Sequence, residues 1–173
     1  MELMVNNMQS TYLQEIQSEF DRRSFIEDVG MIFKESALPR MAGKIFGSLL
    51  ICYPPYQSAG ELMTYTGGSK ASISTMTRLL IQLGLIERTG IPDKKGIYFK
   101  LREDSYSALI ERKMTFIRSL KATMDKGLNL ISPDDKERRH KLEEIRDLYL
   151  FFDEKLPTLI ELWKKDHPNR YYI

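Results

Sequence analysis

Ser58 and Ser69 each open a helix, and Gly67-Gly68 stands between the two starts. In Ser58-Ala59-Gly60-Glu61 the Ser and Glu have capping-box spacing: the Ser oxygen accepts the fourth residue's N–H and the Glu reaches back. This predicts a short helix through Thr66. The glycine pair permits a tight turn, and Ser69 caps a second helix running to about Leu83. Gly84 fits that helix's end. Leu85 to Ile91 and Ile97 to Leu101 then read as strands, and Pro92-Asp93-Lys94-Lys95-Gly96 between them makes a hairpin with a basic tip. Upstream, Leu38-Pro39-Arg40 restarts a helix carrying Met41, Ile45, Leu49 and Leu50, which Tyr53-Pro54-Pro55-Tyr56 closes. Helix, short helix, turn, helix and two-stranded hairpin together describe a winged helix-turn-helix, whose last helix is shaped to enter a DNA major groove.

The flanks are helical. From about Ser10 to Ser36, Leu13, Ile16, Phe20, Phe25, Ile26, Val29, Ile32 and Phe33 have the spacing of one helix face. Gly30 weakens that helix by about 1 kcal/mol relative to Ala, so a packing surface must compensate. Beyond the hairpin, Tyr106, Leu109, Ile110, Met114, Ile117, Leu120 and Met124 predict a helix from about Asp104 to Lys126, with Gly127 as its stop. Ser132-Pro133 reads as the start of another, with Asp134 and Asp135 in the first turn and Leu142, Ile145, Leu148, Tyr149 and Phe152 along one side. Pro157 reads as the opening of a last helix with Leu159, Ile160, Leu162 and Trp163. The expected fold class is mainly α (α+β): a winged helix-turn-helix at 37–103, an N-terminal helical arm at 1–36 and a C-terminal helical region at 104–173. The apolar stripes of both flanks exceed what a winged helix of about 65 residues can cover, so both are expected to build a homodimer.

Composition excludes several classes. A chain of 173 residues, 42% hydrophobic and with a formal charge of only +2, is not intrinsically disordered. No apolar run reaches the roughly 18–20 residues of a membrane span, and Met1 to Asn6 lack a secretion signal, so a cytoplasmic protein without a membrane partner is expected. The single cysteine, Cys52, and two distant histidines, His140 and His167, form no disulfide or zinc pattern. Cys52 lies in the apolar Leu49-Leu50-Ile51-Cys52-Tyr53, which favours an inert thiol over a redox sensor. No enzyme is expected, and no cofactor. Gly67-Gly68-Ser69-Lys70 lacks the spacing and the leading strand of a phosphate loop. Asp134-Asp135 and Glu143-Glu144 are accounted for by helix-end electrostatics and solvation.

The charge is unevenly distributed. Residues 69–102 hold Lys70, Arg78, Arg88, Lys94, Lys95, Lys100 and Arg102 against Glu87 and Asp93, a local +5 in a chain of +2. Such an excess is the footprint of a face that neutralises phosphates. On the helix after the turn, Ile73, Met76, Leu79, Leu80 and Leu83 fall within an arc of about 120°, a core stripe. Opposite lie Lys70, Ala71, Ser74, Thr75 and Arg78, with no acid among them. This small, hydroxylic, basic face lets a phosphate backbone approach and offers donors to phosphates and base edges, Arg78 being suited to a bidentate guanine contact. Ser69 and Lys70 stand at the helix N-terminus, where free N–H groups favour an anion. Lys94 and Lys95 at the hairpin tip can reach a neighbouring groove, and Arg88 and Lys100 extend the positive stripe. The expected partner is therefore double-stranded DNA. A second reading, a winged helix that docks a larger protein complex, stays open because fold alone does not set function; Ile81 on the outward face is the residue that would suit it.

Leu38-Pro39-Arg40-Met41-Ala42-Gly43-Lys44-Ile45, Pro54-Pro55 with Gln57-Ser58, Ser69-Lys70-Ala71-Ser72-Ile73-Ser74 and Leu83-Gly84-Leu85-Ile86-Glu87-Arg88 resemble, in order and spacing over about residues 25 to 105, the MarR-like winged-helix repressors of the GbsR branch. The resemblance implies a homodimeric transcriptional regulator on a pseudo-palindromic operator, in some members released by a small molecule. It identifies no effector here. Nine Tyr and one Trp are enough for an aromatic cage around a quaternary ammonium, but packing accounts for them more simply.

Overall fold

Ile26, Ile45, Leu62, Ile73, Leu80, Leu85 and Ile86 are all fully buried, and they tie the first half of the chain around one core. The computed structural model describes residues 2–103 and 105–166 and, within them, all side chains except those of 2–16, 106–108 and 164. The element order is α1 (Glu2–Glu35), α2 (Arg40–Ile51), β1 (Gln57–Ser58), α3 (Ala59–Thr66), α4 (Lys70–Gln82), β2 (Ile86–Thr89), β3 (Tyr98–Leu101), α5 (Ser105–Leu128) and α6 (Lys136–Asp166). The chain divides into two compact units, one reaching Ser105 and the other starting at Tyr106. The stretch expected as an N-terminal arm thus belongs to the same unit as the winged helix, with α1 laid against α2.

Three glycines allow that contact. An added Cβ on Gly43 would lie 2.7 Å from both the Phe33 Cβ and the Val29 carbonyl oxygen, and 2.8 Å from the Gly30 Cα. One on Gly30 would lie 2.8 Å from the Lys44 side chain, and one on Gly47 3.0 Å from the Val29 Cβ. The two backbones meet where neither carries a side chain, which is the compensation that Gly30 requires. Beside the crossing, Glu27 binds Lys44 at 2.6 Å and also binds Arg40. The α1 stripe is not a single buried face. Ile26 and Phe33 are buried, whereas Phe20, Phe25 and Ile32 are exposed; Leu13 and Ile16 have side chains outside the described residues.

The wing is a three-stranded antiparallel sheet of order β1-β3-β2. The hairpin strands are shorter than their apolar runs, and β1, with Gln57 opposite Phe99, was not expected from the sequence. Gln57 is buried and accepts a hydrogen bond of 2.7 Å from the Ser48 hydroxyl, which fixes this strand to α2.

In the second unit α5 and α6 form an antiparallel pair. Arg118 meets Asp153 at 2.8 Å, Phe116 stacks edge-on with Tyr149, and Gly127 approaches Leu142. Gly127 is the penultimate residue of α5, where the stop was expected, and an added Cβ would be 3.1 Å from the Leu142 Cδ1, so its small size also serves helix contact. Two expectations are corrected here. The next helix starts not at Ser132-Pro133 but at Lys136, where Asp135 caps it by accepting the Arg138 N–H at 3.1 Å. Pro157 opens no helix; it lies within the 31-residue α6. A proline there costs one N–H bond to the preceding turn, yet the apolar stripe of Leu148, Phe152, Leu159 and Leu162 runs through it unbroken.

Candidate nucleic-acid interface

The turn between α3 and α4 is built from hydrogen bonds and missing side chains. Ser58 Oγ accepts the Glu61 N–H at 3.2 Å, while the Glu61 carboxylate accepts the Ser58 N–H at 2.7 Å, closing the expected capping box. The Ser58 N–H and the Ser58 hydroxyl, each 2.7 Å away, both donate to that carboxylate and hold it below the usual carboxylate range. Gly67 takes a φ of 68°, a left-handed conformation that glycine adopts without strain. Gly68 is required for a different reason: an added Cβ would stand 2.9 Å from the Ile73 Cδ1 and 3.2 Å from the Met41 sulfur. Thr66, also buried, donates to the Leu62 carbonyl at 2.6 Å and accepts from the Gly68 N–H. Ser69 then caps α4 by accepting the Ser72 N–H at 3.2 Å.

The inner side of α4 is Ile73, Thr77 and Leu80, all buried, with Met76, Leu79 and Leu83 half-buried beside them. Thr77 was not expected in the core. Its hydroxyl donates to the Ile73 carbonyl at 2.8 Å, so the buried oxygen is satisfied within the helix. The outer side presents Ser69, Lys70, Ala71, Ser74, Thr75 and Arg78, every one exposed. The Arg78 Nε donates to the Ser74 carbonyl at 3.3 Å, which leans the guanidinium back along the helix and leaves its other donors outward. Ile81, placed on the outward face by the sequence count, is half-buried.

The basic residues of the wing do not form one stripe. Lys100 stands opposite Glu87 in the strand register and pairs with it at 3.0 Å, so it adds no free positive charge. Arg88 is exposed, but it is opposite Phe99 and therefore on the other sheet face from Lys100 and Tyr98. At the tip, Asp93 and Gly96 take positive φ and Lys94 N–H donates to the Ile91 carbonyl at 3.1 Å. The Lys94 side chain is turned back: its ammonium lies 3.4 Å from the Tyr56 hydroxyl, 5.2 Å from the Tyr56 ring centre and 5.8 Å from that of Tyr98. Lys95 is exposed with no partner among the described residues. Tyr56 and Tyr98 are thus neighbours of the wing tip whose meeting the sequence did not reveal; two aromatic residues 42 positions apart give no local signal of their edge-on contact at 5.4 Å.

Cys52 is half-buried at the end of α2, its thiol donates to the Leu49 carbonyl at 3.5 Å, and burial pushes its pKa up. Tyr53 is almost wholly exposed. His140 is exposed on α6, and His167 lies outside the described residues. Among the described residues no group of acids, histidines and cysteine could hold a metal, and no helix is long and apolar enough to cross a membrane.

Comparison with known proteins adds three findings. The model of a family described as MmpR5-like MarR family transcriptional regulators matches residues 104–166, which hold α5 and α6. The HTH-type transcriptional regulator MmpR5 of Mycobacterium tuberculosis is 35% identical over 136 residues, covering 79% of this chain and 82% of that protein. A crystal structure described as a transcriptional regulator has a TM-score of 0.67 and 32% identity, covering 84% of this chain and 99% of its own.

Proposed function

Because this chain belongs to the MmpR5-like MarR family of transcriptional regulators, we propose that it is a sequence-specific repressor that binds a pseudo-palindromic DNA operator as a homodimer. The family is one of regulators, not enzymes. The observation that carries the proposal is the exposed, acid-free face of α4. A helix pinned by Ile73, Thr77 and Leu80 turns Lys70, Ser74, Thr75 and Arg78 outward, and its start offers Ser69 beside unpaired N–H groups. In this reading Arg78 reads a base, Ser69, Lys70, Ser74 and Thr75 hold phosphates or base edges, and Arg88, Lys94 and Lys95 serve the wing. Ile81 is half-buried, which makes it a poorer apolar anchor for a protein partner and supports this reading.

The dimer reading is supported by apolar surface left exposed among the described residues. On α6, Ile145, Leu148, Phe152, Leu159 and Leu162 are exposed at intervals of three, four and seven residues, and Phe116 on α5 is exposed as well. A seam of this kind is buried by a second copy. Cytoplasmic location, the GbsR-like character read from the sequence and a small-molecule effector enter the proposal through family likeness.

The test is the substitution Arg78→Ala on duplexes that the parent retains from a random pool. Loss of about 1–3 kcal/mol of affinity per half-site, with relaxed preference at one position in each, is expected. Unchanged affinity and preference would remove Arg78 from base reading.

A further inference from the structure

The two lysines at the wing tip occupy different environments, although the sequence places them side by side. The Lys94 ammonium lies within 6 Å of the ring centres of both Tyr56 and Tyr98, the distance at which a ring attracts a cation. Its ammonium also reaches the Tyr56 hydroxyl. Tyr56 immediately precedes β1, and Tyr98 opens β3 opposite Ser58. The contact therefore joins the hairpin tip to the strand that leads into α3. The Glu61 carboxylate, held in the capping box at the start of α3, feels the same ammonium. Lys95 has none of these contacts.

We propose that Lys94 is a positioning residue, a cationic clamp on the Tyr56–Tyr98 pair that fixes the wing against β1, and that Lys95 alone of the two meets a phosphate. Its second half rests on the DNA-binding reading above; the clamp itself does not. Three features support this division. The cation spans two rings whose edge-on packing is already set, so binding it requires no rearrangement of either ring. The tip contains two residues of positive φ, Asp93 and Gly96, and its own backbone bond is the one from Lys94 to Ile91, so little else holds it. A lysine drawn onto DNA would have to give up both rings and the hydroxyl, whereas Lys95 gives up nothing.

The test uses the full chain with Lys94→Gln, Lys94→Arg and Lys95→Gln, and reads two quantities. The first, without DNA, is hydrogen exchange of the wing amides. Exchange at the Lys94 amide should rise about two- to fivefold in K94Q, as expected for loss of an exposed cation–π contact. It should return to the parent rate in K94R, which keeps a cation over the rings, and stay at that rate in K95Q. Parent-like exchange in K94Q, or equal acceleration in K95Q, would overturn the clamp. The second is the salt dependence of binding to a random-sequence duplex. K95Q, which removes one lysine from each subunit of the dimer, should reduce the slope of log K against log salt by about 1.8, and K94Q should leave it unchanged while lowering affinity. A reduced slope in K94Q would make Lys94 a phosphate contact and overturn the division. If the parent binds no duplex at all, the DNA-binding reading fails, and the exchange data still decide the clamp.

Discussion

At the residue scale, the molecule depends most on side chains that are absent. Gly43 faces backbone, the Val29 carbonyl and the Gly30 Cα, which cannot move aside as a flexible side chain can. Gly43→Ala should therefore destabilise the first unit by about 1–3 kcal/mol in urea unfolding, the usual cost of overpacking. Gly90→Ala, with nothing within 4 Å of the added Cβ, should stay within about 0.5 kcal/mol of the parent. Equal stabilities for G43A and the parent would mean that the helices can separate freely. The sequence marked Gly30 as a weakness needing compensation, but Gly43 and Gly47, on another helix, became its partners only through a tertiary contact. The exposed face of α4 was legible because its residues are local to one helix and their sides follow from its period. Thr77 escaped because a polar residue is buried there only by bonding to its own helix, which no apolar count detects. Lys94 and Lys95 looked equivalent for a similar reason: what distinguishes them is Tyr56, far away in sequence.

At the element scale, caps and glycines made α3, α4 and the hairpin readable to within a few residues, since each signal acts on adjacent backbone. The strand β1 was not readable. It is two residues long, and its inward residue is a glutamine, acceptable in the core only because Ser48 supplies a donor. Nor was the continuity of α6, where a local breaker at Pro157 is outweighed by a stripe that extends on both sides. The joint between α1 and α2 is also electrostatic. Lys44 foremost, with Arg40, holds the Glu27 carboxyl below its ordinary value of 4.5. A lowered folded pKa gives stability that is complete above about pH 4.5 and is lost as pH falls through the folded value, where the folded state must take up the proton. Glu27→Gln should accordingly flatten the acid side of the stability–pH profile while changing its shape little above neutrality. The measurement is urea unfolding from pH 3 to 7; parallel curves for E27Q and the parent would show that the ion cluster contributes nothing to folding.

At the scale of the whole molecule, the proposed function assigns assembly to the exposed apolar surface of α6 and recognition to the exposed polar surface of α4. Leu148→Glu places a charge in the middle of the α6 seam, which a second copy would have to desolvate. By light scattering the parent should have twice the monomer mass and L148E the monomer mass; equal masses would remove α6 from the interface. Two copies of α4 related by a two-fold axis would then meet successive major grooves about 34 Å apart, one turn of DNA. The central claim is tested most directly by binding the parent to random-sequence duplexes at several salt concentrations and sequencing what it retains. Salt-dependent binding with enrichment of an inverted repeat, its half-sites centred about ten base pairs or a multiple apart, is the result this account predicts. Salt-dependent retention without any enriched repeat, or no retention at low salt, would contradict it.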